Sequence, residues 1–577
     1  MAFLRNLLAT ILGLIIFTFL GFIMLIGVVA SASSDEVPTV KSNSVLYFPM
    51  SGILMEKAVE DPFLNAFADG PTPQSLLDII TAIKRAKSDE RIRGIYIEPM
   101  YLAGSYAGLQ EIRDALLDFK ESGKFVYAYG EYISESDYYV ASVADSLFLN
   151  PTGAIEFNGL GVNITFYKGM FDKLDIKPEI FRVGDFKSYV EPYIRKDLSP
   201  ENRLQYTELL NSMYGTYLNN VSNSIRIPVE KLRDISDQMK VSLPQDAADV
   251  GLVHKIGYED ELKSVMKEKL GLNESKDLRT MKMNKYIQAI STEGDYSSNR
   301  IAVIVAEGDI VMGGDEGIVG ATFAEEIRKA RNNDKVKAIV MRVNSGGGSM
   351  TASDMIWREL MLTKGKKPII ASMGGAAASG GYYIAMPADS ILAQPNTITG
   401  SIGIFGMWFN FGEFLENKIG ITHDVVKTGD FSDIYTVTRP LRDSERAIIQ
   451  RGVNEGYEVF TQKAADARGM TQAELKKIAS GRVWSGEQAV KNGLVDQLGD
   501  FNDAIEMAAK AAGIEDDYMV AYYPKQKPFI EEILEKMNAK VQFTLFGVEA
   551  DPLLKQAKSL KNLKGLQARL PGNLEVR

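Results

Sequence analysis

Hydrophobic positions along this chain fall into three patterns. The first is a run of 24 residues, Leu7 to Ala30, without a charge. As a helix rising 1.5 Å per residue it reaches about 36 Å, enough to cross a hydrocarbon layer of about 30 Å with some tilt. The second is a set of short, β-branched runs, IAVIVAEG (301–308), KAIVMRV (337–343) and KPIIASMG (367–374), which predict buried strands. The third is the amphipathic stretches between them. Segment 322–332 (TFAEEIRKARN) starts with a threonine suited to an N-cap and carries early acids, so it predicts a helix; segment 352–363 predicts another. Strands alternating with helices imply parallel strands joined by crossovers, an α/β fold.

The N-terminal run is flanked by Arg5 on one side and by Asp35 and Glu36 on the other. The positive-inside tendency leaves residues 1–6 in the cytoplasm and sends the rest outward. Ala30-Ser31-Ala32 resembles a cleavage site, so a removed signal is one reading. The length of the run favours the other: residues 1–34 as a cytoplasmic stub and single-pass transmembrane anchor. Both readings put the bulk of the chain outside the cytoplasm.

The same α/β pattern occurs twice. Residues 83–161 match 327–405 at a constant offset of 244, most plainly in YYVASVADSLFLNP (138–151) against YYIAMPADSILAQP (382–395). The copies close alike, GLVHKIGYEDEL (251–262) and GLVDQLGDFNDA (493–504). Copy one therefore covers residues 43–272 and copy two 300–515. The polar, lysine-rich residues 273–299 read as a linker, and 516–577 as a C-terminal extension. In that extension Lys555, Lys558, Lys561, Lys564 and Arg569 recur among Leu560, Leu563 and Leu566. This spacing predicts an amphipathic basic helix for an anionic membrane surface or a neighbouring subunit.

Composition narrows the chemistry. The 577 residues carry 65 basic and 75 acidic side chains, a net charge of −10 that argues against nucleic acid as a partner. Cysteine is absent and only two histidines exist, His254 and His423. Thiolate nucleophiles and cysteine-based metal sites are excluded, and a histidine-rich metal centre nearly so. No metal or cofactor is called for. The available general bases are carboxylates and lysines.

Candidate chemistry sits where the copies disagree. In copy two, RVNSGGGSM (342–350) brings Gly346, Gly347 and Gly348 between a strand and a helix, where backbone N–H groups can face an anion; copy one has EPMYLAGSY (98–106). In GGAAASGGYY (374–383) one hydroxyl, Ser379, stands among small residues at a helix start, beside the N–H of Gly380. Its copy-one counterpart is Glu135. Pairing GDFKSYVEPY (184–193) with GDFSDIYTVT (429–438) reverses the asymmetry, since copy one has Lys187 and copy two Ser432. Ser401, in TGSIGIFG, matches Phe157 and is placed to orient a lysine amine. A site built between the copies follows, with neither copy sufficient.

These motifs, together with NTITGSIGIFG (396–406) and GRVWSGEQAVKNGLVDQLG (481–499), resemble the long, bacterial form of signal peptide peptidase within the Clp protease/crotonase superfold. The family's usual proline is replaced here by Gly346. The resemblance implies a serine–lysine dyad: Ser379 as nucleophile, Lys187 as general base, Ser401 orienting the lysine, and Gly347 and Gly380 supplying oxyanion N–H groups. It also implies two tandem Clp-like domains in a homotetramer on the bacterial inner membrane that degrades released signal peptides. Two other readings differ in class. A crotonase-like acyl-CoA enzyme needs acids rather than a serine and a lysine, and an inert membrane scaffold predicts no labelling of Ser379 by a serine-directed probe.

Overall fold

A computed structural model describes residues 2–33, 38–58, 73–291, 297–314, 316–524 and 566–570. Ala2–Ser33 is one helix, and its apolar side chains over 5–21 are exposed, Phe17 at 78%. Its side chains are described without a break only over 5–21, about 26 Å of helix. Among the described residues no helix is long and apolar enough to cross a membrane. The expected span to Ala30 extends beyond the described side chains.

Each copy is built on its own, mainly parallel sheet. In copy one, Ser44–Met55, Ile92–Ala103, Phe125–Ile133, Ser146–Ile155 and Lys255–Ile256 lie side by side. In copy two the order Arg300–Glu307, Val336–Ser345, Ile369–Ala378, Ile398–Gly400 repeats it. The three strands expected from β-branched runs are there. Equivalent residues do equivalent work. Ser105 and Ser349 both cap the helix that follows, accepting the N–H of Gly108 and of Ala352. The hydroxyls of Tyr138 and Tyr382 donate to the carbonyls of Leu252 and Leu494, at 2.8 and 3.0 Å, tying each copy's helix start to its closing motif.

A third sheet joins the copies. Lys177–Arg182 of copy one runs antiparallel to Phe405–Asn410 of copy two over six residue pairs. The same sheet contains Gly347–Ser349 and, between it and Phe405–Asn410, the C-terminal strand Gln567–Arg569. A buried ionic cluster binds the copies at a second place. Arg342, with no exposed surface, donates to Glu56 at 2.7 Å, to Glu111 at 2.6 Å and to Ser372 at 2.8 Å; both carboxylates come from copy one.

Three sequence expectations change. The helix over 322–332 starts earlier, as Gly320–Asn332, with Val319 rather than Thr322 at the cap, because Gly320 packs against the Ala352 backbone. Residues 273–299 are not a bare linker. Thr280–Lys282 adds a parallel strand beside Val45–Tyr47, and Met283–Ser291 is a helix burying Met283, Tyr286 and Ala289; a three-residue strand is too short to register as periodicity. Of the expected basic helix, the four lysines lie outside the described residues. Its last member, Arg569, is in a strand and pairs with Asp309.

Removing one partner of a buried ion cluster strands the others, at about 3–5 kcal/mol. Arg342→Ala is therefore expected to lower the Tm by many degrees in a thermal melt. An unchanged Tm would show that the cluster does not hold the copies together.

Candidate functional site

Ser379 follows the strand Ile369–Ala378 and caps the short helix Gly380–Ala385. Its backbone is at φ +56°, ψ −112°, an unusual conformation for a residue with a side chain. Small neighbours permit this turn. A Cβ on Gly381 would lie 2.4 Å from the Ser345 carbonyl, and one on Gly380 3.0 Å from the Gly348 nitrogen. The Ser379 N–H donates to the Gly400 carbonyl at 2.8 Å, locking the turn to the strand Ile398–Gly400. Ser401, next along, is also at positive φ, +50°, and its N–H donates to the Arg482 carbonyl at 2.7 Å.

Lys187 reaches this turn from the other copy of the same chain. Its Nζ lies 2.8 Å from Ser379 Oγ, 3.1 Å from Ser401 Oγ and 3.0 Å from the Ser401 carbonyl. All three side chains are fully buried. No carboxylate is among these contacts, and burial alone pushes the Lys187 amine well below the ordinary lysine value.

The loop that carries the lysine is threaded into copy two. The Phe186 N–H donates to the Ser480 carbonyl at 3.1 Å, and that of Asp185 to Ser480 Oγ at 3.2 Å. Gly481 makes the approach possible, since a Cβ there would lie 2.6 Å from both the backbone nitrogen and the Cβ of Lys187. Gln205, buried on a long copy-one helix, donates to Ser188 Oγ at 2.8 Å and to the Phe186 carbonyl at 3.2 Å, and it accepts from Val483 N–H at 3.3 Å. Gln205 was not singled out by sequence. A glutamine inside a polar helix carries no local signal, and its role exists only where the two copies meet.

The glycine cradle is more specific than its sequence. Gly347, at φ +99°, has its N–H turned to Ser345 Oγ at 3.1 Å, and Gly347–Ser349 pairs antiparallel with Gln567–Arg569. The Leu570 N–H donates to the Gly346 carbonyl and the Met350 N–H to the Leu566 carbonyl. Hydrogen-bonded pairs alternate along an antiparallel ladder, so Gly348 and Ala568 form the bonded pair between them. The N–H that faces across the cradle is therefore that of Gly348. Gly347 contributes the missing Cβ, which would stand 2.1 Å from the Ala568 carbonyl oxygen and 2.6 Å from the Gly380 nitrogen. Both expected glycines, 347 and 380, are at the site, with the Gly348 N–H facing Ala568 across the ladder and that of Gly347 turned to Ser345 Oγ.

Copy one has closed the equivalent space. Glu135 accepts the N–H groups of Asn158 and Gly159 at 3.0 and 2.8 Å, and Asp137 those of Tyr101 and Leu102 at 2.9 and 3.1 Å. Burial pushes the Glu135 carboxyl up to about 7. Phe157, where copy two has Ser401, packs edge-on against Tyr138. Ser432, the counterpart of Lys187, is exposed. His254 accepts from the Leu147 N–H in copy one, and His423 sits in an exposed segment; neither touches the Lys187–Ser379 cluster.

Comparison with known proteins agrees with the geometry. The peptidase family S49 model matches residues 118–273 and 361–515, one stretch in each copy, and the Clp protease model matches 294–398. Protease 4 of Salmonella typhi is 36% identical over 91% of this chain and 87% of its own length. The chloroplastic serine protease SPPA of Arabidopsis thaliana is 32% identical over 92% of this chain and 78% of its own length. An Enterococcus faecium protein with the provisional name signal peptide peptidase SppA is 33% identical over 41% of this chain and 67% of its own length.

The contact at Gly481 yields a test. Gly481→Ala sets a methyl group against the Lys187 backbone, and displacing a reacting group by about 1 Å costs on the order of a hundredfold in rate. Peptide hydrolysis should fall by at least that order, and the Tm should fall too, because Gly481 is at φ +79°, which alanine adopts only with strain. Full activity would mean that the lysine loop does not need this approach.

Proposed function

Because the chain belongs to peptidase family S49 and is a serine peptidase, we propose that it works through a serine–lysine dyad assembled from its two copies. Ser379 is the nucleophile. Lys187 takes its proton and returns it to the leaving amine. Ser401 holds the amine in line, and the N–H groups of Gly348 and Gly380 hold the oxyanion. The observation that carries this reading is the 2.8 Å approach of Lys187 Nζ to Ser379 Oγ inside a fully buried cluster. Burial matters because a charged amine is no base; one held neutral accepts the serine proton at physiological pH.

The finer reading is a membrane-bound enzyme of the bacterial inner membrane that degrades cleaved signal peptides on the periplasmic side. The name of the Enterococcus faecium relative supports the substrate class. The anchor is supported by the uncharged run from Leu7 to Ala30 and by the outward apolar face of its described part. A homotetramer is supported by the segment around Ser432, where Ile421, Val425, Phe431 and Tyr435 are exposed and Val426 wholly so. In copy one the equivalent loop is the one buried against copy two. Docking of the exposed loop on the next subunit would repeat that contact head to tail and permit ring closure.

Ser379→Ala and Lys187→Ala should each lower kcat by at least about a thousandfold, and the double variant should be little worse than either. Substantial activity in Lys187→Ala would remove that residue from the chemistry. Activity of the wild type should rise with pH through an ionisation well below 10.5, the ordinary lysine value. A rising limb centred at or above 10.5 would contradict a neutral buried amine.

The same burial sets a stability trend. Between its depressed pKa and 10.5, folded Lys187 binds fewer protons than the unfolded lysine, so wild-type stability rises with pH across that window. Lys187→Met removes the desolvation. It should be inactive yet more stable at neutral pH, by on the order of 1 kcal/mol or more, with the gain shrinking toward pH 10. A lower Tm for Lys187→Met at pH 7 would count against it.

A further inference from the structure

One buried amide spans the two halves of the candidate site. Gln205 lies near the start of the copy-one helix Pro200–Ile225 and is 1% exposed. Its Nε2 donates to the Phe186 carbonyl at 3.2 Å and to Ser188 Oγ at 2.8 Å, the residues on either side of Lys187. Its Oε1 accepts the Val483 N–H of copy two at 3.3 Å. Val483 pairs with Gly400 in an antiparallel ladder, and the Gly400 carbonyl takes the Ser379 N–H at 2.8 Å. A single side chain thus connects the loop that carries the lysine to the strands that brace the serine. The position calls for a group that donates and accepts at once, which an amide does and an ionised carboxylate or a hydrocarbon does not.

The amide is itself held in place. Nε2 also lies 2.8 Å from Asn202 Oδ1, and Asn202 Nδ2 donates to Glu191 at 2.9 Å. Ser199 gives its N–H and its hydroxyl to the same carboxylate, at 3.2 and 2.6 Å. Ser199, Asn202 and Gln205 recur every three residues on one face of the helix start, and together they hold the 186–191 segment at both ends.

The charged and titratable groups around the loop are Arg182, Asp185, Tyr189, Glu191, Glu208 and Arg482. Arg182 donates to the Lys187 carbonyl at 3.3 Å and lies 3.8 Å from Glu191. Asp185 is exposed, and Tyr189 stacks on Phe405. Arg482 pairs with Glu208 and lies over the Phe186 ring. None of them offsets the burial that depresses the Lys187 amine.

We infer that Gln205 is a positioning residue of the peptidase reaction: by tying Phe186 and Ser188 to the strands that brace the Ser379 turn, it keeps the Lys187 amine in line with the hydroxyl and out of reach of water. The inference rests on the proposed dyad. Loss of the amide frees the two residues that flank the lysine and admits water to the amine. Hydration favours the ammonium form, so the amine titrates closer to the ordinary lysine value. Only the neutral amine takes the serine proton, so the rising limb of activity moves to higher pH.

The test is kcat against pH for the full chain acting on a hydrophobic peptide, with Tm measured beside it. Gln205→Leu keeps a similar size and removes the hydrogen bonds. Its rising limb should move up by about one pH unit, which costs about tenfold in kcat at pH values below the limb, and the loss should fade above it. Ser188→Ala removes one of the two acceptors on the loop and should move the limb the same way by less. If Gln205→Leu does not fold, Ser188→Ala decides alone. A limb that stays at its wild-type pH in the folded variants, whatever their Tm or plateau, or one that moves down, overturns the inference and leaves the dyad standing. A wild type whose own limb is centred at or above 10.5 overturns both readings.

Discussion

A primary amine buried without a carboxylate beside it is the constraint around which this molecule is organised. Desolvation holds the Lys187 amine far below its ordinary pKa, and its contacts are two hydroxyls and a carbonyl. Such a group persists only if the surrounding fold supplies the free energy that its burial costs. The supply is visible in the sheet shared by Lys177–Arg182 and Phe405–Asn410 and in the Arg342–Glu56–Glu111 cluster. Both devices hold copy one against copy two. Ser379 and Ser401 add backbone conformations that cost on the order of 1–3 kcal/mol each, and they too persist only because neighbouring strands fix them.

Duplication explains how such a site can be built. Two copies of one α/β unit keep the features that folding needs: the serine caps at 105 and 349 and the tyrosine hydroxyls at 138 and 382. They diverge where the chemistry lies. Copy one has filled its own cradle with Glu135, Asp137 and Phe157, the two carboxylates accepting the backbone N–H groups of Tyr101, Leu102, Asn158 and Gly159.

Much of this was legible in the sequence because the copies could be compared with each other. The offset of 244 isolated Ser379 and Ser401, and the separate pairing of 184–193 with 429–438 isolated Lys187, as positions where the copies differ in a reactive group, and the fold brings those three together. What was not legible depends on geometry that no local pattern carries. Which of Gly347 and Gly348 points its N–H across the ladder is decided by strand pairing, and two adjacent glycines look alike in sequence. Gln205 matters because two distant segments share it. The strand Thr280–Lys282 is short and polar, and its existence follows from an open edge beside Val45–Tyr47. The C-terminal leucines and basic residues have helical spacing, yet Gln567–Arg569 is extended because two strand edges flank it; tertiary pairing overrode local preference.

The order of the two copies along the chain also has a meaning in time. Translation delivers the 184–189 loop with its lysine long before Ser379, and the segment at 480–483 that receives the loop comes about a hundred residues later still. A nascent chain therefore carries a lysine with nowhere to be buried, which stays charged, and then a serine with no base beside it. The two halves of the proposed dyad meet only once the last strands of the second copy are in place. Completion of the fold thereby acts as the safety catch on synthesis.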